Sequence, residues 1–389
     1  MMDYSKIISP TISSLAPSGI RKFFDIAATM DDVISLGVGE PDFVTPWAIR
    51  EAGIYSLEQG HTHYTANKGT KDLLAEISIY LKRKYNLEYD STSQILVTVG
   101  GSEAIDLLIR AVVKPGDEVL IPEPCFVCYK PCTIMAGGVP VTIRTEEKDN
   151  FKLTPQKLLE KITDRTKLLI LPFPNNPTGA IMSREDLEGI AKIVKEHNLI
   201  VLSDEIYSEL TYDGVHVPFA TIDGMWEHTV TVNGFSKAFA MTGWRLGYAC
   251  GPDPIIAQMT KIHQYAIMCA PTTSQLAAVE ALRSCDEDVA HMTKEYNYRR
   301  RVMVDGFRSM GLSCFEPLGA FYVFPNITST GLTSDQFATE LLYSKKVAVV
   351  PGTAFGECGE GFIRCSYAYS IKNIERALER IAEFVRERK

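Results

Sequence analysis

No stretch of this 389-residue sequence stays apolar long enough to cross a bilayer. The longest runs, at 168–173 and 199–202, fall far below the roughly 20 residues that a spanning helix needs. The opening MMDYSKIISP has no basic segment followed by an apolar core, so it does not read as an export signal. Cytoplasmic residence and no membrane partner are the expectations. An excess of positive charge is lacking too: 40 Lys and Arg stand against 48 Asp and Glu, a net charge of −8. That balance argues against a general nucleic-acid surface, although a local basic site can sit inside an acidic protein. The sequence has no low-complexity tract, no internal repeat, and no linker rich in Pro, Gly or Ser.

Cysteine is present, but without a framework. Nine residues, an odd number, are scattered along the chain. Without an export signal they read as reduced, mostly buried small hydrophobes. One cluster, Cys125, Cys128 and Cys132, includes a CxxC spacing that suits a redox pair or half of a metal site. No second CxxC and no nearby His completes four ligands. Packing is the favoured reading, and no metal is expected.

What is there reads as α/β. The length exceeds one compact core and suits two domains, or one large domain with a smaller satellite. Short β-branched runs at 94–99, 118–121, 167–171, 199–203, 229–233 and 246–250 are strand candidates. Helical patterns lie between several of them. Over 102–112, Ile105, Leu108, Ile109 and Val112 share a face; over 184–197, Leu187, Ile190, Ile193 and Val194 do. Strands apolar on both sides, alternating with helices, imply a mostly parallel sheet covered on both faces. The last third changes character, with a charged helix at 295–310, strands at 320–324 and 347–350, and a closing amphipathic helix at 371–388. A smaller α+β domain follows, with a boundary near residue 285.

In open α/β sheets the ligand site forms at the carboxyl ends of the strands, and several chemically interesting residues fall there. The run Val97-Thr-Val-Gly100-Gly101-Ser102 ends a strand in two glycines and opens a helix, with Ser102 expected at its cap. Backbone N–H groups and the helix dipole make such a turn a phosphate candidate, although the bland reading, a turn and nothing more, is favoured for the motif alone. Asp204 follows the 199–203 strand; a carboxylate there needs a positive or hydrogen-bonding partner, and an isolated one reads as a cap or a structural ion pair. Lys237 follows the 229–233 strand between Gly234-Phe235 and Ala238-Phe239-Ala240-Met241, an apolar setting for a residue usually solvated. A lysine desolvated there would have a depressed pKa and act as an amine nucleophile or base. Arg245 sits in Thr242-Gly-Trp-Arg-Leu-Gly247, again among apolar neighbours. Pro174-Asn-Asn176-Pro-Thr-Gly179 reads as a rigid turn holding an amide at the end of the 167–171 strand.

Together, Asn176-Pro-Thr-Gly179, Ser203-Asp204-Glu205-Ile206-Tyr207, Ser236-Lys237 and Gly243-Trp-Arg245-Leu-Gly247 resemble the class I/II aminotransferases, pyridoxal-phosphate (PLP) enzymes of fold type I. Leu36-Gly-Val-Gly39-Glu-Pro-Asp-Phe43, His63-Tyr64-Thr65 with Gly69, and Phe362-Ile-Arg364-Cys-Ser366-Tyr extend the likeness over nearly the full length, in family order. The resemblance implies a mostly parallel seven-stranded sheet sandwiched by helices, with a smaller α+β domain. It implies an N-terminal arm and part of the small domain at 1–45, a large PLP-binding domain at 46–285, and a small domain at 286–389. Lys237 would carry the cofactor and shuttle the substrate's α-proton. Asp204 would pair with the pyridine nitrogen, while Tyr207 and Asn176 would bond the ring's 3′ oxygen. Arg245, with Gly101 and Ser102, would hold the phosphate, and Phe126 would stack on the ring. Arg364 would clamp the substrate α-carboxylate, assisted by Gly39 and Asn176. Tyr64 would reach the phosphate of a neighbouring subunit, which implies a homodimer with shared sites. One position departs from the family: many relatives carry a hydroxyl residue where Gly234 stands, and Ser236 is the candidate to compensate.

The expected activity is transfer of an amino group from an L-amino acid to a 2-oxo acid, 2-oxoglutarate by family habit, in a ping-pong cycle. A PLP-dependent C–S β-lyase or a cyclopropane-forming synthase uses the same lysine, aspartate and arginine. A PLP-sensing regulator needs a DNA-binding domain first, and about forty residues precede the first motif, too few for a winged helix. The segment Ser18-Gly-Ile-Arg-Lys-Phe-Phe-Asp-Ile-Ala27, with Gly247-Tyr-Ala-Cys-Gly-Pro252, resembles the aspartate, aromatic and N-acetyl-diaminopimelate subgroup. An acidic substrate side chain would need a second cation. Arg21 and Lys22 are candidates by sign alone, and solvated helix residues is the favoured reading.

Overall fold

The structure, a computed structural model, describes residues 2–17, 19 and 30–388; Arg21, Lys22 and most of the 18–27 motif lie outside these. Strand β1 (Ile34–Ser35) precedes the strands of the main sheet: β2 (Ile95–Thr98), β3 (Glu118–Glu123), β4 (Val139–Arg144), β5 (Thr166–Leu171), β6 (Ile200–Asp204), β7 (Thr229–Gly234) and β8 (Gly247–Cys250). Their order across the seven-stranded sheet is β2-β8-β7-β6-β5-β3-β4. β3, β4, β5, β6 and β7 pair in parallel, and β8 runs against both of its neighbours, β2 and β7. The sheet is mostly parallel, as the unbroken apolar strands require.

Alternate residues of these strands serve two cores. Leu120, Leu169 and Val201 pack with Leu187, Ile190, Ile193 and Val194. Leu168, Ile170, Leu202 and Val232 face Ile105, Leu108 and Ile109 on the other side. Each such side chain, fully buried, contributes about 1.5–3 kcal/mol of apolar transfer. The covering helices of the first half are α1 (Pro10–Ser13), α2 (Trp47–Glu58), α3 (Lys71–Tyr85), α4 (Gly101–Val112), α5 (Tyr129–Met135), α6 (Pro155–Leu159) and α7 (Arg184–Glu196). The start of α7 is set by a capping box: Ser183 accepts from the Asp186 amide while the Asp186 side chain accepts from Ser183. After β8 come α8 (Asp253–Ala266), α9 (Thr272–Ser284) and α10 (Asp286–Ser309), then α11 (Ser334–Lys345) and α12 (Ile371–Arg386).

The last third builds β9 (Tyr322–Val323), β10 (Val347–Ala348), β11 (Val350–Pro351) and β12 (Ile363–Ser366). β10 pairs with β1, so the early segment adds a strand to the late one. Ile34 and Leu36 lie in one core with Phe321, Phe337, Ile374, Ile381 and Phe384.

Three expectations need correction, and one strand has no counterpart among them. The strand read at 347–350 is two strands, because the chain leaves β1 at Ala348 and joins β12 at Val350. The strand read at 320–324 pairs only over Tyr322–Val323. The charged helix begins at Asp286, not 295; Asp286, Glu287 and Asp288 occupy its first turn, where the helix dipole favours anions. β4 went unread because it is an edge strand with Pro140 inside it, tolerated only where no neighbour needs that missing N–H.

The turn after β5 joins the two parts. Gly179, at φ 72°, accepts from the Leu318 and Gly319 amides at 2.9 and 3.0 Å. A Cβ on Gly179 would lie 2.2 Å from Cβ of Pro317 and 2.8 Å from O of Gly319. Gly179→Ala should therefore lower unfolding free energy by at least about 2 kcal/mol, read as a shift of the urea midpoint at unchanged slope.

Candidate active site

A cavity of about 640 Å³ opens at the carboxyl edge of the main sheet. Gly39, Gly101, Ser102, Phe126, Asn176, Asp204, Tyr207, Ser236, Lys237, Arg245 and Arg364 all line it. Tyr64 is apart from them, 80% exposed on the loop between α2 and α3.

Asp204 is the last residue of β6, and burial raises its carboxyl to about 6. Against that, Tyr129 donates to Oδ2 at 2.6 Å and the Ile206 amide to Oδ1 at 3.2 Å. Tyr129, fully buried on α5, went unread in the sequence: an aromatic at the start of an apolar helix carries no sign of a carboxylate partner. Phe126 sets its ring edge-on to Tyr129, with centroids 6.0 Å apart.

Lys237 lies three residues beyond β7. Its Nζ donates to the Gly39 carbonyl at 2.6 Å and lies 5.7 and 5.9 Å from the ring centres of Phe321 and Tyr207. Burial lowers its amine to about 8, against the opposing pull of Glu40. The apolar flanks read in the sequence, Phe235, Ala238, Phe239 and Met241, pack into a core of their own, and the rings nearest the amine come from other segments.

Arg245 is exposed at the rim, between half-buried Trp244 and buried Leu246, rather than enclosed among apolar neighbours. It takes a left-handed conformation, φ 52°, at the end of the 242–244 turn, and its NH1 donates to the Thr242 carbonyl at 3.0 Å. Because β8 is antiparallel, the residues before it lie at the same sheet edge as those after β2 and β7. Ser102 does not cap α4: Gly100 occupies the cap position at φ 77°, no side chain caps it, and Ser102 is the second helical residue. A Cβ on Gly100 would lie 2.7 Å from NH2 of Arg245, so glycine permits the guanidinium to rest on the turn. Gly234 faces a similar limit. A Cβ there would come within 2.9 Å of Cα of Gly247 and 3.0 Å of the Leu246 carbonyl, so this chain has no room for the family's hydroxyl. Ser236, two residues on, lines the cavity.

Asn175 and Asn176 divide their work. Asn175 builds the turn, accepting from the Thr178 hydroxyl at 2.8 Å and amide at 3.1 Å. Asn176 Oδ1 accepts from NH1 of Arg364 at 2.9 Å. Arg364 is 2% exposed, and its NH2 donates to the Gly37 carbonyl. Its guanidinium lies 4.3 Å from the ring centre of Tyr322 and 4.7 Å from that of Phe355, and its buried Nε has no hydrogen-bond partner. Tyr322 also shares a 2.9 Å hydroxyl contact with Tyr207. Nothing in the sequence pointed to Tyr322, since only the fold brings β9 to this edge.

The nine cysteines are free, and Cys125 and Cys132 are buried. Among the described residues no group of His, Cys, Asp or Glu could hold a metal ion, and no helix is long and apolar enough to cross a membrane.

A family model described as aminotransferase class I and II matches residues 31–381. An aspartate aminotransferase of Pyrococcus abyssi is 48% identical, over 98% of this chain and 99% of its own length. The crystal structure of an aromatic aminotransferase from Pyrococcus horikoshii superposes with a TM-score of 0.91 at 46% identity, covering 94% of this chain and 99% of the other. The aspartate aminotransferase of Thermus thermophilus, solved with maleate, superposes with a TM-score of 0.93 at 37% identity, over 97% and 99%.

A buried carboxyl raised from 3.8 to about 6 makes the folded chain the stronger proton binder across that window. Its contribution to stability therefore falls as pH rises through the window, by on the order of 3 kcal/mol. In the cofactor-free chain, Asp204→Asn should flatten this part of the pH profile and raise stability at pH 7.5, while Tyr129→Phe should move the window upward. Urea melts at pH 5 and 7.5 measure both; parallel profiles for wild type and Asp204→Asn would refute the assignment.

Proposed function

The chain belongs to the class I and II aminotransferases, PLP-dependent transferases of amino groups, and from that premise we propose that its donor is an L-amino acid of the aspartate, aromatic or related kind, and its acceptor 2-oxoglutarate or a similar 2-oxo acid, in two ping-pong half-reactions. The observation that carries the reading at this site is the convergence of Lys237, Asp204, Arg245 and Arg364, from four separate segments, on one cavity. The C–S β-lyase alternative is not favoured, since the relatives carry aminotransferase names.

The residues present fit PLP. Asp204 is buried with only a phenol and an amide for donors, and a protonated ring nitrogen would supply the positive partner it lacks. The amides of Gly101 and Ser102, with Arg245 and Ser236, would take the phosphate; Phe126 would cover the ring face, Tyr207 and Asn176 would hold the 3′ oxygen, and Lys237 would hold the cofactor. When bound, PLP supplies an electron sink for the charge left on the substrate α-carbon.

The chain's own residues do the rest. Lys237, its amine lowered to about 8, has an appreciable unprotonated fraction near neutrality, so Nζ can take the α-proton and return it. Arg364 would clamp the α-carboxylate. Two aromatic rings hold its plane, and its buried Nε is an unused donor that a carboxylate suits. Gly39 and Asn176 would assist. Val38, Ile206 and Tyr322 give the cavity an apolar wall, which supports the aromatic donor class and limits water.

The reading includes a cytoplasmic homodimer in which Tyr64 serves the other subunit. Exposed Trp47, Tyr55, Tyr64 and Tyr265 support it, since large apolar surface favours a partner. It also includes the division into 1–45, 46–285 and 286–389, supported by the core that Ile34 and Leu36 share with the last third.

An absorption spectrum of the purified chain with PLP tests the reading. A near-visible band should be lost on adding a donor amino acid and restored by 2-oxoglutarate; a chain that stays colourless with PLP would overturn the reading. Lys237→Ala should abolish turnover while leaving the fold intact. Arg364→Ala should lower kcat/KM by about 100-fold or more for every amino acid alike; a loss confined to one substrate would make it a side-chain selector.

A further inference from the structure

Behind the glycine turn lies a polar pair that none of these roles uses. His263, on α8, has a side chain 0% exposed, and its Nδ1 lies 2.7 Å from Oε1 of Glu103 in the first turn of α4. A carboxylate can only accept, so the imidazole donates from Nδ1. The other oxygen, Oε2, accepts from the amide of Val99, the residue before Gly100. Glu103 thus ties a buried imidazole to the main chain of the turn that opens α4. The tie is the imidazole's one polar contact among the described residues, since its Nε2 is buried without a partner.

The turn has one side-chain tie of its own, the Thr98 hydroxyl donating to the Gly100 carbonyl at 3.0 Å, and Glu103 adds a second at Val99. Gly100 and Gly101 confer little stiffness of their own, and no side chain caps the helix. Gly101 and Ser102, the first residues of α4 after this turn, line the cavity, and the Arg245 guanidinium lies against Gly100. A shift of a few tenths of an ångström at Val99 would move both sets of donors together.

We propose that Glu103 and His263 are positioning residues for the cofactor phosphate: His263 fixes the Glu103 carboxylate, and the carboxylate fixes the Val99–Gly101 main chain. The inference rests on the reading that this turn takes the PLP phosphate.

The test is phosphorus NMR of the full-length holoenzyme, with cofactor retention followed during dialysis against inorganic phosphate. His263→Leu keeps bulk and removes the donor; it should move the bound resonance and speed cofactor loss at least 10-fold. His263→Asn removes more volume but puts an amide N–H where Nδ1 lies, and it should recover most of the retention. Glu103→Ala should match His263→Leu, and the two combined should be no worse than either, since they break one connection. Asn behaving worse than Leu would mean packing alone and would overturn the proposal. If His263→Leu does not fold, Glu103→Ala with an unmoved resonance overturns it equally. A wild-type chain without a bound phosphorus resonance would overturn both this inference and the cofactor reading, whereas a wild-type resonance unmoved in His263→Leu overturns this inference alone.

Discussion

Three strands meet at Gly247, and most of the site depends on how closely they do so. β8 enters the sheet antiparallel between β2 and β7, pairing Gly247 with Thr98 on one side and Gly234 on the other. A Cβ on Gly247 would lie 2.6 Å from both the Gly100 carbonyl carbon and the Gly101 nitrogen, and 3.0 Å from the Asn233 carbonyl. That approach brings the start of α4, the segment carrying Ser236 and Lys237, and the Arg245 turn to one edge. It also explains the bare position at Gly234, where the same closeness leaves no room for a hydroxyl.

A second set of contacts closes the cavity from the other side. Arg364 on β12 bonds Asn176 and Gly37, Tyr322 on β9 meets Tyr207, and Lys237 reaches the Gly39 carbonyl. Each joins the main sheet to segments near the two chain ends. Hydrogen bonds to charged groups in a buried setting are worth more than neutral ones and are costly to leave unmade. Arg364 therefore couples the position of the small β12–β9 sheet to the turn carrying Asn176.

The electrostatics follow from the same enclosure. Burial raises Asp204 to about 6 and lowers Lys237 to about 8, shifting each toward its neutral form. Neither group is held at its ordinary value by a strong ion pair within the chain, so a charged occupant has leverage over both. Such poised groups are costly to stability and mark places where chemistry is done.

The sequence by itself determined the main elements and the chemistry-bearing residues. Unbroken apolar strands alternating with periodic helices dictate a covered, mostly parallel sheet, and Asp204 and Lys237 fall just at or past strand ends, where such sheets bind ligands. The apolar flanks of Lys237 signalled that its segment is buried, whereas the rings nearest its amine, Phe321 and Tyr207, come from other parts of the chain. Only the tertiary structure decided the rest. Tyr129 on Asp204, Tyr322 between Tyr207 and Arg364, the direction of β8 that brings Arg245 to the rim, and the split at Val349 all join residues far apart along the chain. Periodicity reports which side of an element is buried, and not what it is buried against. A hydrogen bond between Tyr129 and Asp204, 75 positions apart, depends on strand order and register, which arise from packing the whole chain at once.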